Sequence, residues 1–355
     1  MKKSIMALAI LGAITCQAHA QSSVTVYGIV DTGFSSIDNG TDRTNGLSSG
    51  NNSASRIGFK GLEDLGGGLQ TEFKLENGIS TDDGSGGSGF SRYAYIGLNG
   101  AFGKIRMGRQ DNQISEAIIK LDPFSAAGVG NARNFYAGGG VPQRQPNMLT
   151  WLSNNYGGFS GSLGYIFGEV EDDNSANRGI GAQLSYENGP LNIQLAYQKQ
   201  NYNGTTNVLG FSGTGADLDD KNILLGATYS FAALKLHGFY GERKLEGPAT
   251  VAALGTGNFN DKIRTAMLGI TIPLGASAIR ADYIQNDNKD IDDADNNAWV
   301  ASYTYSLSKR TTLYATYVRT DNDDNSVMSV SGPSAANFTA GENGSGAYLG
   351  INHKF

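Results

Sequence analysis

Cysteine occurs only once in this chain, at Cys16. It lies in an N-terminal stretch where Lys2 and Lys3 precede a short apolar run and a small-residue site, Ala18-His19-Ala20. These are the parts of a secretory signal peptide, and the apolar run is too short for a transmembrane anchor. We therefore expect residues 1–20 to be cleaved. The exported remainder has no disulfides and must be held by a large core or a fully paired sheet.

The remainder also lacks a basic excess, a long apolar run and the signature of a cofactor site. Removing Lys2 and Lys3 from 27 Lys and Arg leaves 25 against 33 Asp and Glu, a formal charge of −8. Because such a surface repels phosphates, the charge argues against nucleic acid as a partner. No apolar run approaches the ~20 residues of a membrane helix. The acidic stretches lack the spacing of a Ca²⁺ loop, and we expect no cofactor and no metal.

What the chain has in abundance is glycine, aromatic residues and alternation. It contains 50 Gly, about twice the usual ~7%, and 17 Tyr and 15 Phe against two Trp. Segments such as Leu69–Glu76, Ile180–Glu187, Leu191–Gln198 and Trp299–Ser306 alternate apolar and polar side chains with period two. This period is typical of β-strands with two different faces.

The connections between these strands alternate between short turns and long polar loops. Seven short turns and eight long loops make fifteen connections and hence 16 strands, with every long loop at one end and both termini at the other. The turns lie near 64–68, 99–103, 157–158, 188–190, 231–233, 273–276 and 306–310. The loops lie at 34–53, 80–89, 112–147, 169–177, 201–220, 243–261, 286–296 and 321–343.

This asymmetry favours an outer-membrane barrel over a soluble sandwich, which has no reason to collect its long loops at one end. Sixteen strands enclose an aqueous channel, so the polar face points inward and the apolar face outward. No linker or shift of composition divides the chain. The sequence thus predicts an all-β fold: residues 21–355 form one 16-stranded antiparallel transmembrane β-barrel.

The third long loop interrupts the alternation for longer than any other stretch, from Asn112 to Asn147. It is rich in Gly, Ala and Asn and includes a short helix-like run, Ile114–Leu121. A loop of this length inside a compact domain is usually functional. We expect it to fold into the lumen and to narrow it.

Four segments resemble the general diffusion porins of Gram-negative bacteria, most closely the beta-proteobacterial branch. SSVTVYGIVDTG at Ser22–Gly33 resembles their first strand, and SRIGFKGLEDLGGGLQTEFKLE at Ser55–Glu76 the next two. FSRYAYIGLNGAFGKIRMGRQ at Phe90–Gln110 resembles the following pair, and GAYLGINHKF at Gly346–Phe355 the last strand with its terminal aromatic. The PEFGGD motif of enteric porins is absent from the third loop.

The resemblance implies a homotrimer in the cell outer membrane, with the third loop folded into each lumen. It implies a channel for passive diffusion of small hydrophilic solutes and ions. The expected partners are those solutes, outer-membrane lipids and lipopolysaccharide, and the barrel-assembly machinery, for which Phe355 would be the C-terminal signal.

A diffusion channel needs a constriction whose charges sort solutes, rather than a bond-making group. A lipid-facing Arg or Lys at mid-membrane costs about 2–4 kcal/mol, so the strand cations should point inward. By resemblance Arg56 and Arg92 belong to a basic wall, and Arg144 supplies a third member. The other candidates are the strand neighbours Lys60 and Lys74 for that wall, and Glu116 and Asp122 for an acidic loop opposite.

Three functions remain open from the sequence. The first is a passive channel, in which the basic wall favours anions and the loop acids argue for cations. The second is a binding protein on the same scaffold, either a solute-selective channel or an adhesin. The third is a barrel lipase that uses His237, but no local motif supplies a Ser–His pair, and we expect no enzyme.

Overall fold

The structure is a computed structural model that describes residues 23–139, 141–169, 171, 176–203, 217–251, 255–330 and 338–355. The predicted signal peptide, residues 1–20, lies outside the described residues. Its cleavage therefore stays a prediction.

Within these residues the fold consists of seventeen strands and one α-helix. The first half contains β1 (Ser23–Asp38), β2 (Arg43–Ser49), β3 (Arg56–Gly66), β4 (Leu69–Gly78), β5 (Tyr93–Gly100), β6 (Gly103–Asp111), α1 (Gln113–Leu121), β7 (Arg144–Leu152) and β8 (Phe159–Ile166). The second half contains β9 (Gly179–Asn188), β10 (Leu191–Asn203), β11 (Asp217–Ser230), β12 (Lys235–Val251), β13 (Gly255–Leu274), β14 (Ser277–Asn288), β15 (Asn296–Ser306), β16 (Thr311–Asn322) and β17 (Gly344–Lys354).

These strands form one closed antiparallel sheet with 16 positions around the wall. β1 pairs with β17 on one side, and on the other with β2 along its second half and β3 along its first half. β2 and β3 therefore share one position, interrupted at residues 50–55. Phe355 completes the closure, since its N–H donates to Gly28 O at 3.1 Å and its carbonyl accepts the return bond at 3.2 Å. The predicted 16-stranded barrel is confirmed.

The break between β2 and β3 is stabilised by Asp31, which is fully buried on β1. Its carboxylate accepts hydrogen bonds from Tyr314 Oη at 2.8 Å, Asn352 Nδ2 at 2.8 Å and the Ser53 N–H at 3.1 Å. The Asp31 N–H donates to Ser55 Oγ at 2.9 Å. One residue thus joins β1, β16, β17 and the interrupted strand.

The two faces of the wall differ as the alternation predicts. On β11, Ile223 and Leu225 are about half exposed, at 48% and 55%, whereas Asn222 and Thr228 are buried. The same alternation runs along β14 to β17. A belt of exposed apolar side chains this extensive is stable only against lipid.

Two predicted loops are largely strand. Residues 34–53 contain the end of β1 and all of β2, and residues 243–261 contain the end of β12 and the start of β13. The polar composition misled the prediction because these hairpins continue beyond the apolar belt, where no lipid selects for apolar side chains.

The third loop contains α1 and two short 3₁₀ turns, Ala132–Asn134 and Tyr136–Gly139. Asn112 caps α1 by accepting the Ser115 N–H at 2.8 Å, which confirms the helix-like run. At the other end, Leu121 O lies 2.8 Å from His237 Nδ1 on β12. No helix in the described residues is long and apolar enough to cross a membrane.

The segment packs against the inward face of the wall. Ile114, Ile118 and Leu121 are fully buried and share a core with Leu224 and Phe239 of β11 and β12. Glycines on the wall permit this approach. A Cβ at Gly181 would lie 2.1 Å from Gln113, and a Cβ at Gly226 would lie 2.6 Å from Leu121.

Candidate functional site

A cavity of about 820 Å³ lies inside the barrel beside the third loop. Seven cationic side chains line it, from both the loop and the wall. No Asp or Glu is among the described residues of this lining. We call this space the basic cavity. Its cations are Arg56, Arg92, Arg133, Arg144, Arg280, Lys309 and Lys354.

Arg56 and Arg92 are held by one buried carboxylate, Glu76. Arg92 Nε donates to Glu76 Oε1 at 2.6 Å, and Arg56 Nη1 lies 3.9 Å from the same oxygen. Tyr27 Oη donates to the other oxygen at 2.7 Å. Lys74 Nζ lies 3.7 Å from Glu76 Oε2, outside the cavity lining. Three cations thus share one carboxylate.

The interrupted strand also positions Arg56. Its Nε donates to Ala54 O at 2.8 Å and its Nη2 to Ser53 Oγ at 2.7 Å. Both acceptors lie in the break that Asp31 stabilises. The closure of the barrel and the orientation of a cavity cation therefore depend on the same few residues.

Arg144 is fixed by Asp111 and by an aromatic ring. Its Nε lies 3.2 Å from Asp111 Oδ1, and its guanidinium carbon lies 4.6 Å from the centre of the Tyr93 ring. Lys74 Nζ lies 3.5 Å from the centre of the same ring, and the Tyr93 hydroxyl donates to Asp111. Such cation–π contacts hold a charge in place while leaving part of it uncompensated.

The other predicted cation, Lys60, lies further along the same face as Arg56. Its Nζ is 5.4 Å from the centre of the Tyr27 ring, and it does not line the basic cavity. A β-bulge between Gly108 and Gln110 explains how Arg106 and Arg109 both reach side-chain or backbone oxygens. Arg106 Nε donates to Glu72 at 2.6 Å, and Arg109 Nε donates to Ser91 O at 2.6 Å.

Glu116 is not among the residues that line the basic cavity, and its place on an acidic loop face stays a prediction. It lines a separate space of about 170 Å³ with Arg106, Lys120 and the inward hydroxyls of neighbouring strands. Burial, and then the nearby Asp111, raise the pKa of Glu116 to about 7. A carboxyl group in this state carries only part of a charge at neutral pH.

Asp122 is likewise absent from the lining of the basic cavity. Its carboxylate is buried and accepts backbone N–H bonds from Phe124 at 3.0 Å, Ala126 at 2.7 Å and Ala132 at 3.2 Å. Its role in the structure is to fold the loop after α1. Neither predicted acid, Glu116 or Asp122, lines the basic cavity beside Arg56 and Arg92.

Asp122 lies near another buried carboxylate, Asp282 of β14. Pro123 packs over Gly269, at which a Cβ would lie 2.5 Å from Pro123 Cγ, and Gly269 is the cross-strand partner of Asp282. Neither Asp282 oxygen has a hydrogen-bond partner among the described residues. The two charges interact, with Arg280 as the nearby cation. Burial raises the pKa of Asp122 to about 6.

Sequence reasoning missed four cavity cations. Arg133 lies on the third loop, where no periodicity applies, and Lys309 and Lys354 lie at the short-turn end of the barrel. The inward direction of Arg280 could have been predicted from the sequence. It alternates with outward Ile279 and Ala281 on β14, two positions from inward Asp282.

Phe355 extends β17 beside Gly28 and is half exposed on the same face as Leu349 and Ile351. No cluster of three or more His, Cys, Asp or Glu that could hold a metal occurs among the described residues.

A wall with lipid outside and a charged, hydrated bore inside defines a membrane channel. The family model described as Gram-negative porin matches residues 7–325. Outer membrane porin protein 32 of Delftia acidovorans is 36% identical over 370 residues, covering 100% of both chains. An outer membrane porin protein of Bordetella pertussis is 32% identical over 365 residues, covering 89% of this chain and 93% of its own.

A solved structure described as an anion-selective porin from Comamonas acidovorans is similar in fold. It superimposes with a TM-score of 0.81 at 33% identity, covering 94% of this chain and 100% of its own. The chain belongs to the Gram-negative porin family. It is an outer-membrane β-barrel that forms a channel for passive diffusion, which confirms the predicted family, location and function.

The Asp122–Asp282 pair makes a testable prediction about stability. The pKa of Asp122, about 6 in the folded chain, exceeds the unfolded value of about 3.9. The folded state therefore binds the Asp122 proton more tightly than the unfolded state does. The destabilisation caused by ionising Asp122 in the folded protein is absent below about pH 4 and complete above about pH 6. We expect Asp282→Asn to stabilise the barrel by about 1–3 kcal/mol at about pH 8 and by much less at about pH 4, because it removes a buried carboxylate that has no described hydrogen-bond partner and that repels ionised Asp122.

The measurement is the thermal unfolding of the detergent-solubilised barrel at both pH values. Asp287→Asn is the matched control. It lies on the same strand, faces outward and is paired with Lys289, and its effect should not depend on pH in this way. Destabilisation by Asp282→Asn at about pH 8 would contradict the repulsion between the two carboxylates.

Proposed function

We propose that the channel prefers anions and that the basic cavity sets this preference. The observation that carries the proposal is the lining: seven cations and, among its described residues, no carboxylate. Glu76 binds the guanidinium group of Arg92 and Asp111 binds that of Arg144, and neither carboxylate is among the residues that line the cavity. The similar structure from Comamonas acidovorans is described as anion-selective, which supports the same preference here.

Arg133 is a cavity cation whose charge is available to a solute. It has no carboxylate within ion-pair distance among the described residues, and its Nε has no hydrogen-bond partner there. Burial, and then nearby Arg144, lower the pKa of Arg133 to about 10, which still leaves it charged at neutral pH. An anion that passes the third loop would supply the missing partner for this group.

The cations also form a path along the bore. Arg56 and Arg92 of the wall line the same cavity as Arg133 of the third loop and Arg144 at its end. Arg280 lies near the start of β14, and Lys309 and Lys354 lie at the short-turn end. Passage of an ion through the channel requires several sites, each of which binds the ion and then releases it to the following site. Cations spaced along the bore meet that requirement for an anion.

We expect Arg133→Gln combined with Arg280→Gln to lower the anion-to-cation permeability ratio by about twofold or more, because both remove a cavity cation that has no described carboxylate within ion-pair distance. Reversal potential across a KCl gradient measures this ratio. The matched control is Arg43→Gln combined with Arg319→Gln, which removes two exposed, ion-paired cations outside the cavity and should leave the ratio unchanged. An unchanged ratio in the cavity variant would refute this assignment.

Arg56→Ala and Arg92→Ala test the wall that the sequence predicted. Each should shift the reversal potential in the same direction. Among the predicted acids, Glu116→Gln and Asp122→Asn should have smaller effects, because neither side chain lines the cavity. A solute-selective channel would differ by showing concentration-dependent block of the current.

We further propose a homotrimer, with Phe355 as the assembly signal at the C-terminus. The proposal rests on the family and on the position of Phe355, which completes the pairing between β17 and β1. The detergent-extracted protein should have the mass of three chains by light scattering. Phe355→Ala should lower the amount of folded trimer in the outer membrane, whereas Phe231→Ala, which removes an exposed aromatic side chain in a short turn, should not. A monomer mass for the parent protein would refute the trimer.

We propose that the chain is not an enzyme. His237, the residue required by the lipase hypothesis, has both ring nitrogens engaged, with Leu121 O at 2.8 Å and Thr271 Oγ1 at 3.1 Å. A histidine that holds the end of α1 in this way is not free to activate a serine. Purified protein should leave phospholipid vesicles intact, and hydrolysis lost in His237→Gln would overturn this proposal.

A further inference from the structure

Four inward polar side chains lie directly opposite one another across strands β13 to β16. The antiparallel register pairs Thr265 with Asn286, Asn286 with Asn296 and Asn296 with Asn322. All four side chains are buried on the inner face of the wall. We call this set the amide row. It leads around the wall from the third loop to residues 323–330, which follow β16.

Hydrogen bonds link the members of the row. Thr265 Oγ1 donates to Asn286 Oδ1 at 2.6 Å, and Asn286 Nδ2 donates to Asn296 Oδ1 at 2.7 Å. Ser326 connects the last pair, because its hydroxyl accepts from Asn296 Nδ2 at 2.7 Å and donates to Asn322 Oδ1 at 3.3 Å. A buried polar network with its donors and acceptors paired specifies one arrangement of the groups it joins.

At one end the row holds the tip of the third loop. The Ala137 N–H donates to Thr265 Oγ1 at 3.0 Å, and Asn286 Nδ2 donates to Phe135 O at 2.8 Å. Ala137 has a φ of 52°, a backbone conformation that an alanine keeps only where its surroundings impose it. The two bonds to the row are part of those surroundings.

At the other end the row holds the segment after β16. Asn322 Oδ1 accepts the Met328 N–H at 2.7 Å, and Asn322 Nδ2 donates to Met328 O at 3.0 Å. The same Nδ2 donates to Glu342 O at 2.8 Å. One amide group thus fixes the backbone on both sides of the last long loop.

Apolar packing accompanies the row. Met328 and Val330 are 2% and 0% exposed, and they belong to the same buried core as Phe135 and Tyr136 of the third loop. Residues 323–330 therefore reach inward to the core of the bore, although the sequence places them in a long polar loop.

Arg133 lies on the third loop between two anchors. It belongs to the short turn Ala132–Asn134. Before this turn, the Val129 N–H donates to Asn51 O at 2.9 Å, in the break between β2 and β3. After the turn, the amide row holds Phe135. The direction of Arg133 into the basic cavity therefore depends on both anchors.

We propose that the amide row and residues 323–330 together position the tip of the third loop, so that an outer segment determines where Arg133 stands in the basic cavity. Thr265, Asn286 and Asn322 are then positioning residues for the passage of anions. This role rests on the anion preference proposed above. A row that only satisfied polar groups of the wall would affect the stability of the barrel and not its current.

The test compares Thr265→Val and Asn322→Ala with the parent, as full chains in planar bilayers. Thr265→Val keeps the shape of the side chain but removes both hydrogen bonds of its hydroxyl. Asn322→Ala releases residues 323–330 while leaving every described hydrogen bond of the third loop in place. We expect brief partial closures of the single-channel current to become about fivefold more frequent in each variant, because a lost hydrogen bond raises the population of a displaced tip. The anion-to-cation permeability ratio should fall with them.

Two controls separate positioning from folding, and thermal unfolding is measured for every variant. Thr265→Ser keeps the hydroxyl and should behave like the parent. Thr316→Val removes another buried inward hydroxyl, which lies 2.8 Å from Ser302 Oγ, and should leave the current unchanged. Met328→Ala takes the place of Asn322→Ala if that variant does not fold.

Closures as rare as in the parent for both Thr265→Val and Asn322→Ala would overturn the proposal. A change in only one of the two would overturn the coupling between residues 323–330 and the third loop, and an equal change in Thr265→Ser would rule out the hydroxyl as the anchor. A parent without anion preference would refute the proposed function instead, since the closure frequency measures the position of the loop whatever ion carries the current.

Discussion

The structure depends on one constraint: no backbone polar group of the wall can remain unpaired where lipid replaces water. Closure by pairing β1 with β17 meets this constraint, and Phe355 extends that pairing to Gly28. The interruption between β2 and β3 is possible because Asp31 and Ser55 supply bonds within the gap. The same gap supplies the oxygens that orient Arg56, so closing the wall also positions a charge in the bore.

The chain places its hydrophobic core where a channel would otherwise be open. Ile114, Ile118, Leu121 and Tyr136 of the third loop pack against wall residues such as Leu224. A loop held by buried apolar contacts has a defined position, unlike a solvated loop of similar length. The cations it faces are also held, by Glu76 and Asp111. Both sides of the basic cavity are therefore preorganised.

Alternation along the chain predicts the strands of the wall, its two faces and the inward direction of Arg56 and Arg92. These features are predictable because lipid on one face and water on the other impose a period of two on the sequence. The position of the third loop follows from contacts that no periodicity reports, such as Gln113 against Gly181. The sequence predicts Glu116 and Asp122 as acids that face the lumen. The path of the third loop, which the sequence does not show, places both outside the lining of the basic cavity. Lys60 lies on the inward face of its strand, as predicted. Alternation gives the face of a side chain but not its height in the bore, so the position of Lys60 outside the lining of the basic cavity was not predictable.

Net charge is a poor guide to the bore. The full chain carries a formal charge of −6, yet every charged residue described in the lining of the basic cavity is a cation. Charges separated by more than a Debye length, about 8 Å at physiological salt, are largely screened from each other. Acids in the outer loops such as Asp290, Asp292 and Asp323 are exposed and therefore screened by salt, whereas walls of low dielectric strengthen the field inside the bore. An acidic protein can in this way present a positive path to the solutes it passes.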